Sequence, residues 1–171
     1  MPLCVCVACR IVVGGDSAGA ITSLYLGYLK EATEGSSGNP GYSSQVNVTV
    51  SVSGMLGDKG FCDRTSGPPR YEPYGCAVNN SWDYTHEIGA EGRLHSQPAL
   101  AFISGTSDLT CPYYYALEAI RRATAVGLPH TFITVPGGGH VPFEELFANE
   151  GWMRQLFNFI AAQLQPPCPP A

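Results

Sequence analysis

The chain has 171 residues, of which 44% are hydrophobic and 13% are charged, and its 14 acidic and 9 basic residues give a formal net charge of -5. This length and this apolar content fit one globular domain and exclude an intrinsically disordered chain. The basic residues form no cluster, so no nucleic-acid partner is expected. Because no apolar run reaches the roughly 18 residues that a membrane-spanning helix needs, no membrane span is expected either.

The first half of the chain begins with a strand, a sharp turn and a helix. Apolar residues predict a strand at 10–14 that ends in glycines, and from Ala18 onward apolar residues recur at helical spacing. A stretch at 34–44 that is rich in Gly, Ser and Pro breaks this helix, and the Val and Thr residues of 46–52 predict a second strand.

The second half repeats this alternation. Residues 99–103 are continuously apolar, as expected for a strand buried on both faces. Pro112 begins a helix that Gly127 ends, and a fourth strand is predicted at 131–135. A final helix precedes a Pro-rich tail at 165–171. This order favours an α/β fold, with a mostly parallel sheet of about four strands flanked by helices.

Residues 55–97 interrupt the alternation. They are dense in Gly, Pro, Asn, Tyr and Trp and show no sustained periodicity, so they predict an ordered, lid-like excursion rather than core. The sequence contains no internal repeat. The whole chain, 1–171, is therefore predicted to be a single partial domain.

The seven cysteines are an odd number, so at least one is free or paired outside the chain. Cys62 and Cys76 flank part of the excursion, and two free thiols are favoured there over a bridge formed in an oxidising compartment. The cluster of Cys4, Cys6 and Cys9 has no second group at zinc-ligand spacing, so neither a metal nor a cofactor is predicted. The apolar start lacks the basic region of a signal peptide, so the compartment stays open, with the cytoplasm as the default and a secreted parent protein as the alternative.

A G-x-S-x-G pattern lies between the first strand and the first helix, as Gly15-Asp16-Ser17-Ala18-Gly19. At such a turn, small residues let the backbone bend sharply and expose the serine hydroxyl, and the helix N-terminus is directed at developing negative charge. A serine hydroxyl is a weak nucleophile, so the chemistry requires a base and a carboxylate that orients the base.

Candidates for both groups follow later in the chain. Asp108 comes just after the third strand and His140 just after the fourth, so parallel pairing brings them to the edge where Ser17 lies. Asp58, which follows the second strand, is the rival acid. The remaining histidines are His86, His95 and His130. They lie in the excursion or at the wrong end of a strand and are predicted to be structural.

These sequence blocks resemble those of the α/β-hydrolase superfamily, and within it the carboxylesterase and lipase-like serine esterases. The resembling segments are 14–20, 104–108 with Pro112-Tyr113, and 139–142. The resemblance implies acyl transfer on a small-molecule ester. Ser17 attacks the carbonyl, His140 acts as base and then as acid, and Asp108 orients the imidazole.

The resemblance also implies substrate contacts beside the nucleophile. The backbone N–H of Ala18 supplies one donor of the oxyanion hole, and Asp16 is assigned to the same region. Tyr113 begins a tyrosine cluster that either faces the substrate or packs beneath the site as an aromatic helix start.

The sequence departs from the resemblance at its beginning. Complete enzymes of this kind carry several strands before the nucleophile, and one upstream loop donates the second oxyanion N–H. Here the first predicted strand begins at residue 10, so we expect a chain that is truncated upstream. Its first strand would be an exposed edge that invites self-association. A catalytically weak or inactive interaction module, and a peptidase or thioesterase of the same fold, stay open as alternatives.

Overall fold

A four-stranded parallel sheet organises the structure, a computed structural model that describes residues 11–28, 45–58, 82–83, 87–90 and 97–164. The strands and helices in chain order are β1 (Val12–Asp16), α1 (Ala18–Tyr28), β2 (Val48–Val52), β3 (Gly57–Asp58), β4 (Trp82–Asp83), β5 (Ala99–Gly105), α2 (Tyr113–Val126), β6 (His130–Val135), α3 (Phe143–Ala148) and α4 (Glu150–Gln163). The sheet order is β1-β2-β5-β6, and each pairing is parallel. The predicted α/β class and parallel sheet are confirmed.

Two apolar clusters cover the two faces of the sheet, because side chains alternate between the faces along each strand. Leu100 and Phe102 of β5 lie in the cluster that α1 and α2 cover, whereas Ala101 and Ile103 lie in the cluster that α3 and α4 cover. All seven residues of β5 are buried, as expected for a strand with helices on both sides. The core thus fixes the strand that leads to Asp108.

Several strand boundaries differ from the predicted ones by one or two residues, and one helix was not predicted. The first strand was predicted to end at Gly14, but β1 continues its pairing with β2 through Asp16, since glycines do not prevent backbone pairing. The predicted final helix is α4, and the short helix α3 before it was not predicted. The two helices meet at Asn149, whose side chain accepts a hydrogen bond from the N–H of Trp152 at 3.1 Å and so begins α4 as an N-cap.

Residues 87–90 connect the excursion to the core. The side chain of Ile88 is fully buried in the cluster that α1 and α2 cover. Arg122 donates its Nε–H to the Ile88 carbonyl at 2.9 Å, and the Gln97 side chain bonds to the backbone on both sides of Ile88 at 2.6 Å. The region predicted as an excursion rather than core, 55–97, therefore contributes two residues, Leu56 and Ile88, to the core.

Several predicted features lie outside the described residues. They are Cys4, Cys6, Cys9, Cys62, Cys76, His86, His95 and the tail at 165–171. Among the helices that the structure describes, none is both long enough and apolar enough to cross a membrane. In the described sheet β1 pairs with β2 alone, and self-association through β1 stays a prediction.

Tyr28 is the last residue of α1, and its side chain, including the hydroxyl group, is fully buried. Its hydroxyl donates a hydrogen bond to the Pro98 carbonyl at 2.8 Å. Burial raises the pKa of Tyr28 well above its usual range, an effect that the Thr49 hydroxyl opposes. Since the folded pKa exceeds the unfolded value of about 10, the stabilisation from the neutral hydroxyl is complete below that pH and is lost as the pH rises toward the folded pKa.

We expect Tyr28→Phe to lower the free energy of unfolding by about 1–3 kcal/mol at neutral pH, because the Pro98 carbonyl loses its donor. Above about pH 10 the wild type should lose stability more steeply than the variant, so the difference should narrow. Urea unfolding across this pH range measures both effects. Tyr114→Phe, at a side chain that is 60% exposed, is the control and should leave stability unchanged. A difference that stays constant with pH would contradict the role assigned to the Tyr28 hydroxyl.

Candidate active site

Ser17 forms the turn between β1 and α1. Its φ of 49° lies in the left-handed region, which is costly for a residue other than glycine. Two backbone hydrogen bonds of 3.0 Å hold it there: its N–H donates to the Val52 carbonyl, and its carbonyl accepts the N–H of Ile21. The turn therefore holds the Ser17 backbone at the carboxyl edge of the sheet.

Gly15 permits the close approach of β1 to α1. A Cβ atom at this position would lie 2.5 Å from the backbone carbonyl carbon of Gly19, closer than real Cβ contacts. A Cβ atom at Gly19 would meet nothing within 4 Å. Of the two glycines in the G-x-S-x-G pattern, Gly15 is thus the one that the packing of the turn requires.

Asp108 lies in the loop after β5, and its side chain is completely buried. Its Oδ1 atom accepts hydrogen bonds from the backbone N–H groups of Thr110 and Cys111, both at 2.8 Å. Such bonds compensate a buried carboxylate for its lost hydration and fix the direction in which it points.

His140 lies between this carboxylate and Ser17. Its Nδ1 atom is 2.9 Å from Oδ2 and 3.1 Å from Oδ1 of Asp108, and its Nε2 atom is 2.8 Å from Oγ of Ser17. A carboxylate only accepts hydrogen bonds, so Nδ1 carries the hydrogen of the neutral ring. Nε2 is then free to accept the hydroxyl hydrogen of Ser17.

Backbone contacts join the loop that carries Asp108 to the loop that carries His140. The N–H of Ser107 donates to the Gly138 carbonyl at 2.9 Å, and the N–H of Gly137 donates to Oγ1 of Thr106 at 2.8 Å. A Cβ atom at Gly105 would collide with the Gly138 carbonyl. The separation of the acid and the imidazole is therefore set by direct contact between two short loops.

No protein-family model and no curated protein matches the sequence, whereas solved structures match it. A truncated form of a carbohydrate esterase from gut microbiota matches with a TM-score of 0.56 and 21% identity, over 88% of this chain and 58% of that chain. A puromycin-hydrolysing peptidase of Mycobacterium tuberculosis matches with a TM-score of 0.58 and 13% identity, over 91% and 22%. An α/β-hydrolase enzyme from a Medee basin deep-sea metagenome library matches with a TM-score of 0.52 and 13% identity, over 90% and 54%.

The chain has an α/β-hydrolase fold. It spans 58%, 22% and 54% of the lengths of these three structures, so it corresponds to a part of each. At 21% identity or less, the likeness establishes the fold and leaves the chemistry to be argued from the site.

The residues assigned to the substrate region of this α/β-hydrolase fold occupy three different settings. Asp16 is exposed at the end of β1, and Ala18 is exposed at the start of α1, where N–H groups have no partner within the helix. The Tyr113 ring stacks on Phe132 with centroids 5.7 Å apart, and its hydroxyl lies 2.7 Å from Oγ1 of Thr134. These contacts attach Tyr113 to β6, and its role toward a substrate stays a prediction.

The rival groups lie elsewhere. His130 begins β6, at the opposite end of the strand from His140. Its ring nitrogens contact the Leu128 carbonyl at 2.8 Å and Oγ1 of Thr124 at 3.1 Å, which is a structural environment as expected. The backbone of Asp58 pairs in β3, and its side chain lies outside the described residues.

Ser53 is a residue of the site that sequence reasoning did not single out. It follows β2, is fully buried, and accepts the N–H of Val141 on its Oγ atom at 3.0 Å. The sequence signal that could have singled out Ser53 is the Ser53-Gly54 pair after a predicted strand, and such a pair is too common at strand ends to indicate a role.

We expect Gly15→Ala and Gly19→Ala to have opposite effects on stability. Gly15→Ala forces β1 away from α1 and should lower the unfolding temperature. Gly19→Ala has open space and should raise the free energy of unfolding by about 0.5–1 kcal/mol, because alanine favours the helix. Thermal unfolding followed by circular dichroism measures both. Equal destabilisation of the two variants would argue against the close contact at Gly15.

Proposed function

We propose that the chain is the part of a serine hydrolase that carries the nucleophile, the base and the acid, and that it cleaves carboxylic esters. The observation that carries this proposal is the continuous row of hydrogen bonds from Ser17 through His140 to Asp108, with contacts of 2.8 and 2.9 Å. A nucleophile within hydrogen-bond reach of a base, with the base oriented by a third group, is the arrangement that acyl transfer needs.

The proposed reaction proceeds through an acyl-enzyme. Oγ of Ser17 attacks the ester carbonyl carbon while its proton passes to Nε2 of His140, and Asp108 stabilises the imidazolium that results. When the tetrahedral intermediate collapses, the bond to the alcohol oxygen breaks and His140 returns the proton to that oxygen. Water then repeats the sequence on the acyl-Ser17 ester and releases the carboxylic acid.

Ala18 and the amino end of α1 supply the stabilisation of negative charge in this scheme. The N–H of Ala18 follows the nucleophile directly, and the helix dipole favours an anion at that end. In complete enzymes of this fold, a loop upstream of the nucleophile strand gives the second donor. Loss of one such donor typically lowers kcat by about 10²–10³, so the Ala18 N–H is expected to contribute strongly to turnover.

A peptidase or thioesterase is the second candidate, since one of the matching solved structures is a puromycin-hydrolysing peptidase. The same three residues serve any acyl substrate, because the triad acts on the carbonyl rather than on the leaving group. The rates at which the chain hydrolyses an acetyl ester, an acetyl thioester and an acetanilide distinguish these classes. We expect the ester to be cleaved fastest.

Hydrolysis of p-nitrophenyl acetate by wild type, Ser17→Ala and Ser23→Ala tests the proposed function. Ser17→Ala should reduce kcat/KM by about 10³-fold or more, because in the proposed reaction the acyl intermediate forms on Oγ of Ser17. Ser23→Ala is the matched control. It removes a hydroxyl from α1, the helix that follows Ser17, and in the described part of the chain that hydroxyl bonds to the Gly19 carbonyl. It should leave kcat/KM unchanged.

Two other outcomes would count against the proposal. Equal turnover by wild type and Ser17→Ala would place the activity outside Ser17. If no folded variant exceeds the buffer background, the chain by itself is not an esterase, and a non-catalytic interaction module becomes the favoured function.

A further inference from the structure

We propose that Ser53 is a positioning residue for His140, an inference that rests on the proposed function. Ser53 follows β2, which lies in the sheet between β1 and β5. Those two strands lead to Ser17 and Asp108. Ser53 therefore lies at the middle of the sheet edge where the three triad residues meet.

The backbone of Ser53 is fixed by the sheet. Its N–H donates to the Ile103 carbonyl at 2.9 Å, which extends the pairing of β2 with β5 by one residue. The side chain is fully buried, so Oγ has no freedom to turn toward solvent. The hydroxyl oxygen is thus a fixed acceptor, and the N–H that it accepts, at 3.0 Å, belongs to Val141.

Val141 is the residue that needs such an acceptor. Its φ of 56° lies in the left-handed region, where a β-branched side chain is least tolerated. Unfavourable conformations of this kind persist only when the surroundings hold them. The Val141 N–H is in the peptide that directly follows His140, so any relaxation there rotates the imidazole.

The expected consequence concerns the base and not the binding of substrate. A movement of about 1 Å at a reacting group can cost about 10²-fold in rate, and here it would lengthen the 2.8 Å contact between Nε2 of His140 and Oγ of Ser17. Ser53 is buried, and its Oγ bonds to the backbone of the loop that carries His140. Its loss should therefore lower kcat and leave KM nearly unchanged.

Ser51 offers a matched control. It lies on β2, the strand that Ser53 follows, and is fully buried like Ser53. Its hydroxyl has no hydrogen-bond partner in the described part of the chain. Ser51→Ala and Ser53→Ala remove the same atom from positions two residues apart. If these buried serine hydroxyls contribute only to the stability of the sheet, the two variants should have the same kcat.

The first arm of the experiment measures kcat and KM on p-nitrophenyl acetate. Ser53→Ala should lose about 10- to 100-fold in kcat, with KM changed less than about twofold, while Ser51→Ala keeps both. Ser53→Gly relieves the left-handed backbone without restoring the acceptor, and should show the same loss in kcat. It also provides a folded variant if Ser53→Ala does not fold. A kcat within about twofold of wild type in folded Ser53→Gly would overturn the proposal.

The second arm is a double-mutant cycle with Val141→Gly. Glycine adopts the left-handed conformation at little cost, so the loop no longer needs the acceptor. Ser53→Ala should then cost less than about threefold in kcat when it is introduced into Val141→Gly. An equal loss in the two backgrounds would overturn the proposed link between Ser53 and the His140 loop.

The third arm monitors the His140 imidazole by proton NMR and does not require turnover of a substrate. The Nδ1 hydrogen of His140, bonded to Asp108, should give a low-field proton resonance in wild type and in Ser51→Ala that is shifted or lost in Ser53→Ala. If wild type has no esterase activity, the proposed function fails, and this resonance still decides whether Ser53 positions His140. An unchanged resonance in Ser53→Ala would overturn the positioning role.

Discussion

Parallel pairing of the four sheet strands is the constraint on which the whole site depends. Parallel strands all point in one direction, so the loops that follow them emerge at one edge. The register aligns Asp16, Val52 and Ile103 in one row across the sheet, which brings the next residues, Ser17 and Ser53, to neighbouring positions. A hydrogen bond that spans 123 residues of sequence can then form between two short turns.

The same edge gathers the backbone conformations that are least favourable. Ser17, Ser53 and Val141 are the non-glycine residues with positive φ in the described part of the chain. Each is held through its own N–H, which donates to the Val52 carbonyl, the Ile103 carbonyl or the Ser53 hydroxyl. The buried sheet thus holds these turns in conformations that the turns alone would not keep. The alignment of the Ser17 hydroxyl, the His140 imidazole and the Asp108 carboxylate depends on it.

The convergence of Ser17, Asp108 and His140 could be predicted because each follows an apolar strand and is flanked by glycines or other turn residues. An alternation of strands and helices is enough to bring such positions to one edge. The catalytic role of these residues stays a prediction. Ser53 could not be found in this way, because its importance comes from a contact with Val141, 88 residues away. A contact of that kind becomes visible only when the register of the strands and the path of the loop are both known.

The attachment of residues 87–90 couples this segment to α2. Ile88 anchors the segment in the core, and Gln97 bonds to the backbone on both sides of that anchor. Arg122 of α2 donates to the carbonyl of the same residue, Ile88. A shift of α2 would therefore move residues 87–90 with it, while the hydrogen-bonded pairing of the four sheet strands involves neither element.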